Sequence, residues 1–163
     1  MIWVLLHIII ILFSTPTDLE PLRKAYKEAG LDETKISHFI DLVKDVTKDS
    51  NPVLIGYKGA ALAIEAKTQK GIQNKVDAFK EGKDFIEYAI EQEPNNIELR
   101  FIRLGVQENT PKVLKYKENI DEDKIFILEN FNDITSENLK EHIGNYIKQS
   151  KVFTEIEKES LKL

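Results

Sequence analysis

An all-α fold is predicted by three features of the sequence. Apolar residues recur at helical spacing nearly everywhere after residue 17, the breaks fall at short clusters containing proline, glycine or asparagine, and no run shows sustained alternation. The chain has 163 residues, 42% of them hydrophobic, enough for one domain with a real core. Acidic residues outnumber basic ones, 28 to 23, and the net charge is −5. A mildly acidic chain binds nucleic acid only where its basic residues cluster, and here Lys67, Lys70, Lys75, Lys80 and Lys83 are interleaved with Glu65, Asp77, Glu81 and Asp84. No nucleic-acid partner is expected. The absence of cysteine excludes disulfides, thiolate metal sites, a thiol nucleophile and a lipid-bearing cysteine.

The N-terminal stretch MIWVLLHIIIILFSTPTD is apolar over residues 2–13 except for His7. Twelve residues fall short of the about 20 that span a bilayer as a helix, and they suit the apolar core of a secretory signal. Ser14, Thr15 and Pro16 would lead into a cleavage site, although the start carries no Lys or Arg and no A-x-A-like site follows. Residues 1–17 are therefore expected to be a signal peptide or hydrophobic leader. If they stay uncleaved, residues 1–13 would pack on the domain or associate with a membrane.

The helices follow in order over a single domain, residues 18–163. Leu19, Leu22, Tyr26 and Ala29 lie on one stripe, with Gly30 as a stop. DETKISHFIDLVKDV opens on Asp32 as a cap and puts Ile36, Phe39, Ile40 and Val43 on one face. Pro52 begins a third helix, where a first turn tolerates proline. A fourth runs over 75–93 and stops at Pro94, and a fifth over 96–108. Pro111 breaks the chain before KVLKYKEN. DEDKIFILENF is either helix or short strand, because IFIL is ambiguous in period. Thr135 or Ser136 caps the next helix, and Thr154 with Glu157 forms a capping box for the last.

Within EGKDFIEYAIEQEPNNIELRFIRLG, Gly82, Ile86, Ala89 and Pro94 stand at the spacing of a small residue, an apolar residue, an alanine and a helix-ending proline. Leu104 and Gly105 close the following helix. This stretch, residues 82–105, resembles the second half of a tetratricopeptide repeat and the start of the next one. Gly56 and Tyr57 are similar to the start of a first helix, before the longer connection TQKGIQN. The resemblance implies antiparallel helical hairpins stacked as a short right-handed array, with a groove that binds a protein or peptide and no catalysis of its own.

Two patterns support close packing independently of that resemblance. Gly56, Gly59, Ala60, Ala63 and Ala66 make one face of the third helix small, which lets another backbone approach. Two glycines inside one helix cost about 1 kcal/mol each against alanine, so they imply a packing reason. In the fifth helix Ile97, Phe101 and Leu104 share a face, and Leu99, Ile102 and Val106 share another. Arg100, Arg103 and Gln107 form the narrow polar stripe that remains. Either the arginines reach water or pair with acids such as Glu65 or Glu98, or they line a groove and hold a carboxylate, which suits the guanidinium fork. In the second case Tyr57, Lys58 and Glu65 would face them from the preceding hairpin, and Tyr116 would close one end.

Other chemistry lacks its residues. His38 and His142 are isolated, with no H-E-x-x-H or H-x-x-x-H spacing for zinc. G-x-S-x-G, G-x-G-x-x-G and the P-loop are absent. DETK and DEDK read as caps and solvated first turns, whose acids favour the helix dipole. No catalytic residue, metal or cofactor is expected. The sequence thus points to an exported, non-enzymatic helical-repeat protein that binds a protein or peptide partner in the bacterial periplasm or cell envelope. The bias towards Lys, Ile, Glu and Asn suits an AT-rich bacterial genome. A membrane-tethered structural subunit is the alternative reading, and an enzyme of unknown class the second.

Overall fold

The computed structural model describes residues 18–161, so the leader and its cleavage lie outside the described residues. Those described form eight α-helices and three short 3-10 turns, with no strand among them.

Most boundaries follow from local chemistry. Helix α1, Glu20–Leu31, carries Pro21 in its first turn and runs one residue past Gly30, where the sequence suggested a stop. Asp32 ends it by turning extended, and its carboxylate accepts from the Thr34 amide at 2.9 Å, starting the turn into α2, Ile36–Val43. Asn51 caps α3, Pro52–Glu65, by accepting from the Val53 amide at 2.9 Å. Helix α4, Ile72–Gln92, begins three residues earlier than its apolar pattern indicates, because Gly71 at φ 86° supplies the left-handed entry. Asn96 caps α5, Ile97–Asn109, through the amides of Glu98 and Leu99. IFIL is helical: α6 spans Ile120–Asn130, and three acids in its first turn favour the helix start. Ser136 caps α7, Glu137–Gln149, and Thr154 with Glu157 forms the reciprocal capping box of α8, Glu155–Ser160.

The small-residue face of α3 meets α4. A Cβ on Gly59 would lie 2.5 Å from the Gly82 carbonyl oxygen, and one on Gly82 would lie 2.6 Å from the Gly59 carbonyl oxygen. Gly56 faces Ala89, Gly59 faces Ile86 and Gly82 faces Ala63, so the two helices are antiparallel. The backbones touch where both chains lack a side chain, which answers the glycine cost inside each helix.

Four helices form the inner layer. α1 packs on α3, α3 on α5, α5 on α7, and α7 returns to α1, so the inner helices close into a ring. α2 lies against α1 and α3, α4 against α3 and α5, and α6 against α5. One hydrophobic core runs through these contacts, with Phe39, Tyr57, Ile86, Leu99, Phe101, Ile102, Ile127 and Ile143 almost fully buried.

Replacing Gly59 with alanine forces atoms into backbone and is expected to destabilise by about 2 kcal/mol or more. Replacing Gly30, whose Cβ would meet nothing within 4 Å, is expected to stabilise by up to about 1 kcal/mol. Chemical denaturation of the two variants checks both signs.

Candidate functional site

At the N-terminal ends of the inner helices a charged cluster is buried. The Arg23 guanidinium from α1 grips Glu98 of α5 with both prongs, Nε to Oε1 at 2.9 Å and Nη2 to Oε2 at 2.7 Å. Its third nitrogen donates to Asn138 of α7 at 2.9 Å, and the Tyr57 hydroxyl of α3 donates to Glu98 at 2.7 Å. All four inner helices therefore meet at one carboxylate and one guanidinium. Burial works against the charge on Arg23, and the Glu98 carboxylate more than offsets it, so the Arg23 pKa is raised. Burial and the same carboxylate hold the Tyr57 phenol well above its ordinary value.

A second buried cluster answers the question of the arginine stripe. Arg103 meets Asp123 of α6 in a bidentate pair, both contacts at 2.7 Å, and gives Nη1 to Glu87 of α4 at 3.0 Å. Arg100 reaches the same Asp123 at 3.0 Å and Glu122 at 2.6 Å, and it also donates to the Pro94 carbonyl at 2.9 Å. Tyr116 donates to Glu87, and Gln107 donates to Asn119 at 3.2 Å. Asp123 is 0% exposed, so one acid of DEDK is a buried partner and not a solvated first-turn acid. Glu65 and Glu98, the acids first considered, are not the partners of this stripe.

The seven residues picked out by sequence do not gather in one groove. Tyr57 belongs to the first cluster, and Arg100, Arg103, Gln107 and Tyr116 to the second. Lys58 donates to the Lys44 carbonyl at 3.2 Å, and Glu65 accepts from Gln69 at 3.3 Å. None of them lines the main cavity.

That cavity, of about 750 Å³, opens between the C-terminal halves of α1, α3, α5 and α7 and the start of α4. Its inner end holds Tyr26, Phe101, His142 and Tyr146, packed edge to face, with the Phe101 and His142 ring centroids 5.0 Å apart. A Cβ on Gly105 would lie 2.8 Å from the Tyr26 hydroxyl oxygen, so any side chain there would displace the end of Tyr26. Glu108 braces one wall, accepting from the Tyr146 hydroxyl at 2.6 Å, the Ser150 hydroxyl at 3.0 Å and the Lys151 amide at 2.9 Å. Lys27, Lys67, Lys75 and Lys151 stand around it, from four different segments.

The cavity holds its ring groups neutral at pH 7. Burial and the Glu108 carboxylate raise the Tyr26 phenol, and burial with the hydrogen bond to Glu108 raises that of Tyr146. Burial, helped by the cations of Arg23 and Lys27, lowers the His142 imidazole to about 4. Its Nε2 is buried without a hydrogen-bond partner among the described residues.

Comparison with protein families, with curated proteins and with solved structures found no match for this chain. The site stands on its own geometry. Among the described residues no three His, Cys, Asp or Glu side chains are grouped to hold a metal ion.

Sequence reasoning overlooked Arg23 and His142, and it named Glu98 as an acid for Arg100 and Arg103, whereas Glu98 pairs with Arg23. Arg23 and Glu98 are 75 residues apart, and each looks like an ordinary exposed charge on an amphipathic helix. The available signal was position: Arg23 follows Leu22 and precedes Ala25 on the apolar side of its helix.

Two outcomes are expected. Arg103→Ala strips the bidentate partner from buried Asp123 and leaves it Arg100 alone at 3.0 Å, and is expected to cost up to about 3–5 kcal/mol, with much of that recovered in Arg103→Ala/Asp123→Ala. For His142, the unfolded chain takes its proton near 6.5 and the folded chain near 4. Its contribution is thus complete above about pH 6.5, is lost as pH falls towards 4, and amounts to about 1–2 kcal/mol at pH 5. The fall in melting temperature from pH 7 to pH 5 should be smaller in His142→Phe than in the wild type.

Proposed function

We propose that the chain is a non-enzymatic binding protein of the cell envelope, built of hairpins similar to those of tetratricopeptide repeats, that docks a protein or peptide partner at the open end of its inner helices. The observation that carries this reading is apolar exposure around the cavity mouth. Leu31 is 74% exposed, Ile72 84% and Val113 82%. Leu31 lines the cavity, Ile72 lies one turn before Val76, and Val113 stands between Pro111 and Leu114, which also line it. Large apolar side chains gathered at one end of a molecule mark an interaction surface more often than scattered ones do. In a tetratricopeptide-like array the first helix of each hairpin lines the binding face, and α1, α3, α5 and α7 occupy that place in the order of the chain. The return of α7 to α1 narrows the face to its C-terminal half.

Export is supported by the apolar run of residues 2–13. No helix among the described residues is long and apolar enough to cross a membrane. A tethered subunit remains the competing reading, and mass spectrometry of the native N-terminus separates the two: a mature start near residues 15–20 eliminates the tether.

The docking surface is tested with a photo-crosslinking amino acid placed at position 31, 72 or 156 in the native envelope. Ile156 is 80% exposed on α8 and does not line the cavity. One discrete adduct from the first two positions and none from the third is expected. Equal labelling at all three sinks the proposed surface.

A further inference from the structure

We infer that the cavity between the inner helices binds a single-chain amphiphile with an anionic head, its hydrocarbon chain inside and its head among the lysines at the mouth. This goes beyond the partner surface, because it concerns the interior of the cavity and is read without any partner.

Three observations converge. The volume, about 750 Å³, falls within the range of cavities that enclose a small ligand. The wall is apolar along Ile64, Val76, Phe79, Val106 and Leu114, and several of its polar groups are already occupied, although His142 Nε2 is not. The Tyr146 and Ser150 hydroxyls donate to Glu108, the Thr110 hydroxyl to the Val106 carbonyl, and the Asn109 amide to the Gly105 carbonyl. A peptide threaded inside would bury its own N–H and C=O groups with few partners, whereas a hydrocarbon chain has none to satisfy.

The charge at the opening is the third observation. In a chain of net charge −5, the cavity is bordered by Lys27, Lys67, Lys75 and Lys151, and Glu108 is the one acid among its lining residues. Of the four ammonium groups, Lys75 alone has an acceptor among the described residues, the Lys67 carbonyl at 3.0 Å, and none is in an ion pair. The C-terminal ends of four helices also face this opening and disfavour an anion close to their carbonyls. The anion therefore sits outside the helix ends, within reach of the flexible lysines, and the chain enters tail first. A peptide inserting its C-terminus would carry its carboxylate to the wrong end.

Titration calorimetry with dodecanoate, dodecanol and dodecylamine, each below its micelle concentration, tests this on the wild type and on Lys27→Gln/Lys67→Gln/Lys151→Gln. These lysines are exposed, and thermal melting confirms that the variant folds. Dodecanoate is expected to bind the wild type most tightly, and the triple variant to lose about tenfold in dodecanoate affinity while binding dodecanol unchanged. Dodecylamine binding as tightly as dodecanoate, or the variant holding dodecanoate unchanged, overturns the assignment of the head group. Absence of binding by all three chains overturns the ligand class. Neither result bears on crosslinking at the rim, so the two readings fail separately.

Discussion

The placement of the inner helices depends on the pair made by Arg23 and Glu98. Both are nearly sealed from water, and an ion is tolerated there only when its partner and remaining hydrogen bonds are all in place. The guanidinium meets both oxygens of the carboxylate and still has a nitrogen for Asn138, and the carboxylate still accepts from Tyr57. Any shift of one helix along another would leave a buried charge with an incomplete shell. The pair therefore acts as a register pin at the N-terminal end of the layer. At the other end, Glu108 of α5 is tied only to α7 and the segment after it. α1 and α3 are free to part there, and the cavity is the space that results.

α5 supplies the acid of one cluster and the bases of the other. Glu98 leaves it towards α1, while Arg100 and Arg103 leave it towards α6 and α4. Between these polar exits its apolar residues face α3, α4, α6 and α7. A helix enclosed on so many sides has no solvent face on which to leave its charges, so each is matched inside. Tyr116 extends this matching to the loop after α5, and Phe79 packs on that tyrosine with ring centroids 5.9 Å apart.

The all-helical architecture was legible because it rests on local signals. Asn51, Ser136 and Thr154 satisfy the first amides of the helices that follow them, and the glycine and alanine face of α3 marks where α4 approaches. The arginine stripe was also visible, at Arg100, Arg103 and Gln107. Its partner was not, because Asp123 stands at a helix start where acids are ordinary and only tertiary contact makes it buried. The cavity was illegible for a related reason. Tyr26, Phe101, His142 and Tyr146 belong to three helices and each is unremarkable in its own. Tyr57 and Tyr116 pointed to a groove when read alone, and both are held inside by carboxylates from distant helices. The N-terminal start of α4 shows the same limit at short range: Gly71 sets it through backbone conformation, which apolar spacing does not encode.

The contact of α7 with α1 has a consequence for how this chain can vary. Stacked helical hairpins ordinarily grow or shrink by gaining or losing units at an end, since each unit touches only its neighbours. Here the first and last inner helices are each other's neighbours, joined through Arg23 and Asn138. An added hairpin would have to sever that joint and expose the buried pair behind it. Change in length is thereby directed to the connections beyond the open end, such as residues 66–71 and 110–119, where insertion would reshape the opening and leave the pinned end untouched.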